Sequence, residues 1–289
     1  MGDPAGIGPE IVVKALTIKE TYEKCRPIVT GDAKVMEWAA KQLGADVKIN
    51  AIANVGEAKF EFGTIDVYDL MCVDMDTFEP GKVAPQCGNA AFVSIIKAIE
   101  LAMAGEVDGT VTAPLNKEAL NLAGHHFDGH TEIYAHFTGT KKYAMLLADE
   151  FLRVIQVSTH VSLREACDRV KKARIIEVTE LISDACNQFG IKEPRIGIAG
   201  LNPHASDGGL FGWEEEKEIL PAVEELRARG FNVDGPVPPE TLFAKARCGK
   251  YDGCVAMYHD QGHIPFKVVG FNWNKETGKM DSAQGVNIT

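Results

Sequence analysis

Three histidines stand directly after short apolar runs of strand-like composition. His160 closes Val154-Ile155-Gln156-Val157-Ser158-Thr159, His204 closes Ile196-Gly197-Ile198-Ala199-Gly200-Leu201-Asn202-Pro203, and His259 closes Cys254-Val255-Ala256-Met257-Tyr258. Asp260, Gln261 and Gly262 follow the last of them, so an imidazole and a carboxylate arrive together at a strand end. Open α/β folds keep their chemistry at that edge, where the loops leaving the carboxyl ends of the strands converge. Neutral imidazole suits zinc, cobalt, nickel or manganese, and a catalytic ion needs an open position beyond its protein ligands. A single histidine after a strand reads equally as a helix cap or a hydrogen-bonded surface group. Three at equivalent strand ends predict one divalent metal site.

A second group of polar residues points to an anionic ligand. Gly129-His130-Thr131-Glu132 is a polar loop feeding a helix. Thr131 either caps that helix or, with the opening backbone amides, binds an anionic group. Lys117 and Lys267 are candidate cationic partners for a phosphate or carboxylate, and Lys267 lies eight residues after His259. The loop from Gly2 to Gly8 has the composition of a phosphate cradle but lacks both GxxxxGK[ST] and GxGxxG.

The elements that position these groups alternate. Strands are expected at Arg26–Thr30, Val47–Ile52, within Phe60–Asp76, at Asp108–Thr112, Tyr143–Leu147, Val154–Thr159, from Ile196 and from Cys254. Helices are expected from Ile11, over Ala33–Gln42, Ala90–Ala104, Leu163–Ala173, Glu177–Phe189 and Glu214–Arg229, and Pro80–Gly88 reads as a loop. Strands separated by long helical runs predict an α/β fold with a mostly parallel sheet and right-handed crossovers. The polar loop before Glu132 is the candidate boundary, giving a first α/β domain over 1–128, a second over 129–281 that carries the histidines, and a return strand toward the first domain over 282–289.

Composition limits the partners. The 289 residues are 45% hydrophobic and carry a formal net charge of -11, from 41 acidic and 30 basic side chains. That balance argues against nucleic acid while leaving room for a small anionic substrate in a locally basic pocket. No apolar run is long enough to span a bilayer and no signal peptide is evident, so a soluble, cytoplasmic protein without a membrane partner is expected. Seven scattered cysteines without a CxxC pair read as reduced thiols. The opening turn is of a kind that usually follows a strand, and the last residues read as the start of one, so further chain is expected beyond both ends.

Five motifs in order carry a family resemblance: Met1-Gly-Asp-Pro-Ala-Gly-Ile-Gly-Pro-Glu10, Thr112-Ala-Pro-Leu-Asn-Lys117, Gly129-His-Thr-Glu132, Gly200-Leu-Asn-Pro-His204 and Tyr258-His-Asp-Gln-Gly262, with Gly285-Val-Asn-Ile-Thr289 extending the match. They closely resemble the 4-hydroxythreonine-4-phosphate dehydrogenase family, the PdxA family. The resemblance implies two α/β/α domains with a central cleft, as in isocitrate and isopropylmalate dehydrogenases. It also implies a homodimer with its sites near the subunit interface. On it, His160, His204 and His259 match ligands of a divalent metal (zinc, cobalt, manganese or magnesium), the third supplied across the dimer. His130, Thr131, Lys267 and Asn287 match substrate-binding positions. The family's next substrate arginine and a His-Gly segment that helps hold the adenosine of NAD lie beyond Thr289, so a protein ending there is expected to bind NAD poorly, and no NAD-binding residue is assigned here.

The implied chemistry is NAD-dependent oxidation of a hydroxyl in a 4-phosphorylated 3-hydroxy acid, then loss of CO2. Lys117 or Asp260 is the candidate general base, and Asp260 alternatively orients His259 or a water. Where members of the branch making vitamin B6 (pyridoxine) continue Ala-Gly-Glu-Gly-Gly-His, this chain reads Ala205-Ser-Asp-Gly-Gly-Leu-Phe-Gly212, and Glu240 stands where that branch has Asp. The Leu-Phe-Gly segment looks more like the carbohydrate branch that turns D-threonate or D-erythronate 4-phosphate into dihydroxyacetone phosphate, and the added methylene of Glu240 alters reach toward a C2 amino or hydroxyl group. The alternative is 4-phosphohydroxy-L-threonine, the substrate of pyridoxal phosphate biosynthesis.

Overall fold

Short runs rich in valine and isoleucine become strands, and the longer amphipathic runs between them become crossover helices. The computed structural model describes residues 1–271, 273–280 and 285–289, and divides into two units, Met1–Lys141 and Lys142–Thr289. The division falls thirteen residues after the one expected from sequence, because α6 (below), which the polar loop feeds, stays with the first unit.

In the first unit a parallel sheet is built from β1 (Val29–Gly31), β2 (Lys48–Ile52) and β3 (Thr64–Asp69), in the order β1-β3-β2. Its helices are α1 (Gly8–Leu16), α2 (Lys19–Lys24), α3 (Ala33–Leu43), α4 (Pro85–Met103), α5 (Lys117–Leu122) and α6 (His130–Thr138). Val13, Val35, Met36, Ile65 and Val67 are fully buried between sheet and helices. Asp32 starts α3 by accepting from Lys34 N at 3.0 Å, and its other oxygen accepts from Val73 N at 3.0 Å. Asn116 starts α5 the same way, accepting from Ala119 N at 3.0 Å, and that cap fixes where Lys117 leaves the loop.

Two expectations fail here. Residues 108–112 form no strand, and Val111 is fully exposed. The run has β-branched composition, but among the described residues no strand lies beside it to pair its backbone. The loop assigned to Pro80–Gly88 ends early, because Pro85 opens α4 at a position where its missing N–H costs nothing.

Gly88 sets how closely α4 meets α5. A Cβ there would lie 2.0 Å from the Ala119 carbonyl oxygen and 2.2 Å from its carbon, both backbone. Gly88→Ala is therefore expected to cost about 3 kcal/mol or more, at the upper end of overpacking. A urea melt that moves by less than 1 kcal/mol would show that α5 can shift freely.

The second unit holds a six-stranded sheet of β4 (Leu146–Ala148), β5 (Arg153–Gln156), β6 (Ile196–Ala199), β7 (Val233–Val237), β8 (Gly253–Ala256) and, beyond a two-stranded ribbon of β9 (Trp273–Asn274) and β10 (Lys279–Met280), β11 (Val286–Ile288). The order is β11-β4-β5-β8-β6-β7. Strands β5, β8, β6 and β7 are parallel, while β4 and β11 are antiparallel additions at one edge. Its helices are α7 (Leu163–Asp168), α8 (Lys172–Gln188), α9 (Leu220–Ala228), α10 (Pro239–Arg247) and α11 (His259–Gly270). The single helix expected over Leu163–Ala173 is interrupted before Lys172. The segment expected to return toward the first domain instead supplies β11, which pairs with β4 inside this unit; residues 282–284 of it lie outside the described residues. β7 was not anticipated, because Gly235, Pro236 and Pro238 disguise it.

The sheet is covered on both faces, which its near-continuous apolar strands require. Ile196, Ile198, Val255 and Met257 face Ile175, Val178 and Ile182 of α8, while Val154, Cys254 and Ala256 face Leu242 and Phe266. No helix among the described residues is long and apolar enough to cross a membrane.

Candidate functional site

Because β5, β8 and β6 are parallel neighbours, their carboxyl ends lie side by side. The register pairs Gln156 with Ala256 and Ile198 with Val255, so His160, His259 and His204 all follow at one edge of the sheet. The rings of His160 and His259 are 5.8 Å apart between centroids. His259 is the first residue of α11, and its Nδ1 pairs with Asp260 Oδ1 at 2.6 Å. An ionised carboxylate only accepts, so His259 carries its proton on Nδ1 and leaves the Nε2 lone pair open. Asp260 also suits the first turn of α11, where negative charge meets the positive end of the helix dipole.

His204 is presented differently. It opens a run of four non-glycine residues in the left-handed region, with φ of 55°, 54°, 71° and 47° for His204, Ala205, Ser206 and Asp207. Each such residue costs roughly 1–2 kcal/mol, so the surroundings must hold the turn. Glu215, buried at 4% exposure, does this from below: its carboxylate accepts from Leu201 N and Asn202 N at 2.7 Å each and from Asn202 Nδ2 at 2.8 Å. Ser206 Oγ donates to the Gly212 carbonyl at 2.6 Å and locks the far side. His204 Nδ1 pairs with Glu240 Oε1 at 2.5 Å, again leaving Nε2 open. The backbone amide of Glu240 and then the His204 ring hold that carboxyl below the usual carboxylate range.

The donor set can be tested against a metal. Two imidazoles sharing a tetrahedral ion at about 2.0–2.1 Å put their centroids on the order of 5–6 Å apart, and the His160–His259 spacing falls within that interval. A carboxylate behind a ligating imidazole is the usual support for such a ligand, and His259 and His204 each have one. Imidazole donors favour zinc and its neighbours over magnesium. Yet among the described residues no three His, Cys, Asp or Glu side chains are grouped closely enough to hold an ion. The resemblance places the third ligand across a dimer, so one chain by itself does not assemble the expected triple. His204 sits over Glu240 on its own turn, which the strand-end argument could not place.

The remaining expected residues lie on elements of both units. Lys267 is exposed on α11, eight residues or about 12 Å along the axis from His259. Asn287 is exposed on β11, opposite Leu147. In the first unit, Lys117 is exposed at the start of α5. His130 opens α6 half-buried, with Nε2 shielded from solvent and without a hydrogen-bond partner. Burial pushes its imidazole pKa down, against a hydrogen bond with the Ala113 backbone. Thr131 follows it, half-buried.

Sequence reasoning missed Glu215 and His263. Glu215 has no sequence signal, since its partners lie more than ten residues away. His263 had one, its i, i+4 spacing from His259 once α11 is recognised as a helix. The ring of His263 lies flat on that of His259, with centroids 3.7 Å apart and planes at 12°.

The sequence profile described as "Pyridoxal phosphate biosynthetic protein PdxA" matches residues 23–289. The chain belongs to the PdxA family. It is 46% identical over 100% of its length to 84% of a protein from Oceanobacillus iheyensis, and 44% identical over 94% of its length to 81% of one from Clostridium botulinum, both named "Putative D-threonate 4-phosphate dehydrogenase". Among solved structures, the 4-hydroxythreonine-4-phosphate dehydrogenase from Burkholderia phymatum matches with TM-score 0.86 at 46% identity, over 94% of this chain and 82% of that one. That from Klebsiella pneumoniae matches with TM-score 0.88 at 45% identity, over 93% and 83%. These PdxA-family neighbours have the isocitrate/isopropylmalate dehydrogenase-like fold expected from sequence, and this chain is an oxidoreductase of their dehydrogenase type.

Proposed function

We propose that this protein catalyses the NAD-dependent, divalent-metal-dependent oxidation and decarboxylation of D-threonate or D-erythronate 4-phosphate to dihydroxyacetone phosphate. The observation that carries the reading is the placement of His160, His204 and His259 after the carboxyl ends of the neighbouring parallel strands β5, β6 and β8, with His259 oriented by Asp260. The names of the two curated relatives and the Leu210-Phe211-Gly212 segment support the sugar-acid substrate.

When bound, the metal supplies Lewis-acid stabilisation of the C3 oxygen and NAD accepts the C3 hydride. The residues of this chain do the rest. His160, His204 and His259 are the proposed ligands, the third supplied across a homodimer, and Asp260 keeps His259 in the tautomer that presents Nε2. Lys117 is the proposed acceptor of the C3 hydroxyl proton. Loss of the hydride and that proton leaves a β-keto acid. The bond to the carboxyl carbon then breaks, its electron pair passes to the keto group, and protonation at C2 gives the product. His130, Thr131, Lys267 and Asn287 are the proposed contacts for the phosphate and carboxylate, and the unpaired His130 Nε2 suits a phosphate or hydroxyl partner. Phosphate binding remote from the reacting carbons supplies energy for orientation there.

A second reading, oxidation of 4-phosphohydroxy-L-threonine, is favoured by the names of the solved relatives. Their C2 substituents differ, amino against hydroxyl, and Glu240 beside His204 is the group whose reach bears on that difference. NADH formation with each substrate, on full-length protein supplied with zinc or cobalt, separates them. A sugar-acid preference above about tenfold, or roughly 1.4 kcal/mol of transition-state binding, is expected. The opposite preference moves the protein to the B6 reaction, and no NADH from either substrate overturns the proposal.

A further inference from the structure

We propose that His263 is a positioning residue that holds the His259 ring by stacking on it, so that Nε2 of His259 faces the metal in a fixed plane. The inference rests on the metal reading given above. His263 is 8% exposed, whereas the His259 ring it covers is half open to solvent. Its ring is itself anchored, because Nδ1 lies 3.0 Å from the His259 carbonyl oxygen and must donate to it. The donor and the stack are therefore one device, in which His263 is pinned to the backbone of the residue whose side chain it covers.

The helix requires such a device. His259 is the first residue of α11, and its N-cap, Tyr258, provides no side-chain capping bond. Pro265 lies in the second turn and donates no backbone hydrogen bond, so this end of the helix is held by fewer bonds than usual. Below it, Gln261 ties the helix to the sheet: its side chain accepts from Met257 N at 2.7 Å and donates to the Gly200 carbonyl at 2.8 Å. Those two bonds secure the backbone but leave the His259 imidazole free to rotate. Asp260 fixes one edge of the ring, through Nδ1. A single hydrogen bond to an exposed carboxylate leaves the plane of the ring undefined, and the flat contact with His263 at 3.7 Å defines it. Stacked aromatic contacts add orientation beyond area burial, and residues that orient a ligand typically change metal affinity by about 10–100-fold.

The test uses the full-length chain, cobalt(II) alone, and two variants. His263→Phe keeps a flat ring over His259 and loses the donor; His263→Leu fills the space without a ring. Expected are cobalt affinity within about threefold of the parent for His263→Phe, and about tenfold weaker binding with an altered visible d–d spectrum for His263→Leu. In the metal-free protein, imidazole nitrogen shifts should report one His259 tautomer for the parent and His263→Phe, and averaging for His263→Leu. If His263→Leu matches the parent in affinity, spectrum and tautomer, the proposal is overturned while the metal reading stands. If His263→Phe is as impaired as His263→Leu, the stack is not what positions His259, and the proposal is also overturned. Should His263→Leu fail to fold, the His263→Phe result decides by itself. A parent chain that binds cobalt no better than His259→Ala overturns both readings together.

Discussion

His259→Ala is expected to leave the protein folded and to reduce NADH formation by about three orders of magnitude. A ligand that helps stabilise charge at the reacting oxygen is worth several kcal/mol in the transition state, and about 1.4 kcal/mol is a factor of ten. The fold should tolerate the change. His259 is half exposed at a helix start, and its backbone carbonyl, which His263 engages, is kept. Melting is therefore expected to move by less than about 1 kcal/mol, as for substitutions outside the core. Asp260→Asn should act through the same ring but less strongly, lowering metal affinity by about 10–100-fold, because the amide supports the imidazole without its charge. The check is turnover and bound metal measured on the same preparations. Parent-like turnover in His259→Ala would remove His259 from the mechanism.

Glu215→Ala is expected to give the largest loss of stability among single changes near the site, about 3–5 kcal/mol. The carboxylate is buried and accepts three hydrogen bonds of 2.7–2.8 Å from Leu201 and Asn202. Without it, two backbone N–H groups and a side-chain amide lose their partner, at roughly 1–3 kcal/mol for each buried donor left unmade. These bonds also hold the segment that leads into the left-handed turn, so the turn should relax toward ordinary backbone and carry His204 away from Glu240. Glu215→Gln retains an oxygen for the two N–H groups but sets its own amide against Asn202 Nδ2, and should lose about half as much. Urea denaturation followed by circular dichroism measures both. A Glu215→Ala loss under 1 kcal/mol would mean that the turn is held by other contacts, Ser206 with Gly212 among them.

By itself the sequence determined the α/β class and the sheet edge at which the three strand-end histidines stand. Runs of five to eight mostly apolar residues leading into His160, His204 and His259 read as buried strands, and long helical runs between them make the connections parallel. Parallel connection then puts all three carboxyl ends on one side, and β5, β8 and β6 turned out to be neighbours. Family membership was equally legible, because its motifs are local strings of residues. What depended on contacts between distant segments was not. The position of the division at Lys141, the exposed run at 108–112 and the pairing of β11 with β4 are settled by which strand finds a partner, and composition does not specify partners. The same holds within the site. That His259 is fixed by Asp260 and His263, while His204 rides on a strained turn braced by Glu215, follows from helix register and from hydrogen bonds spanning more than ten residues. Residue types and spacing name the groups that can act; only the folded backbone decides which of their atoms are free to do so.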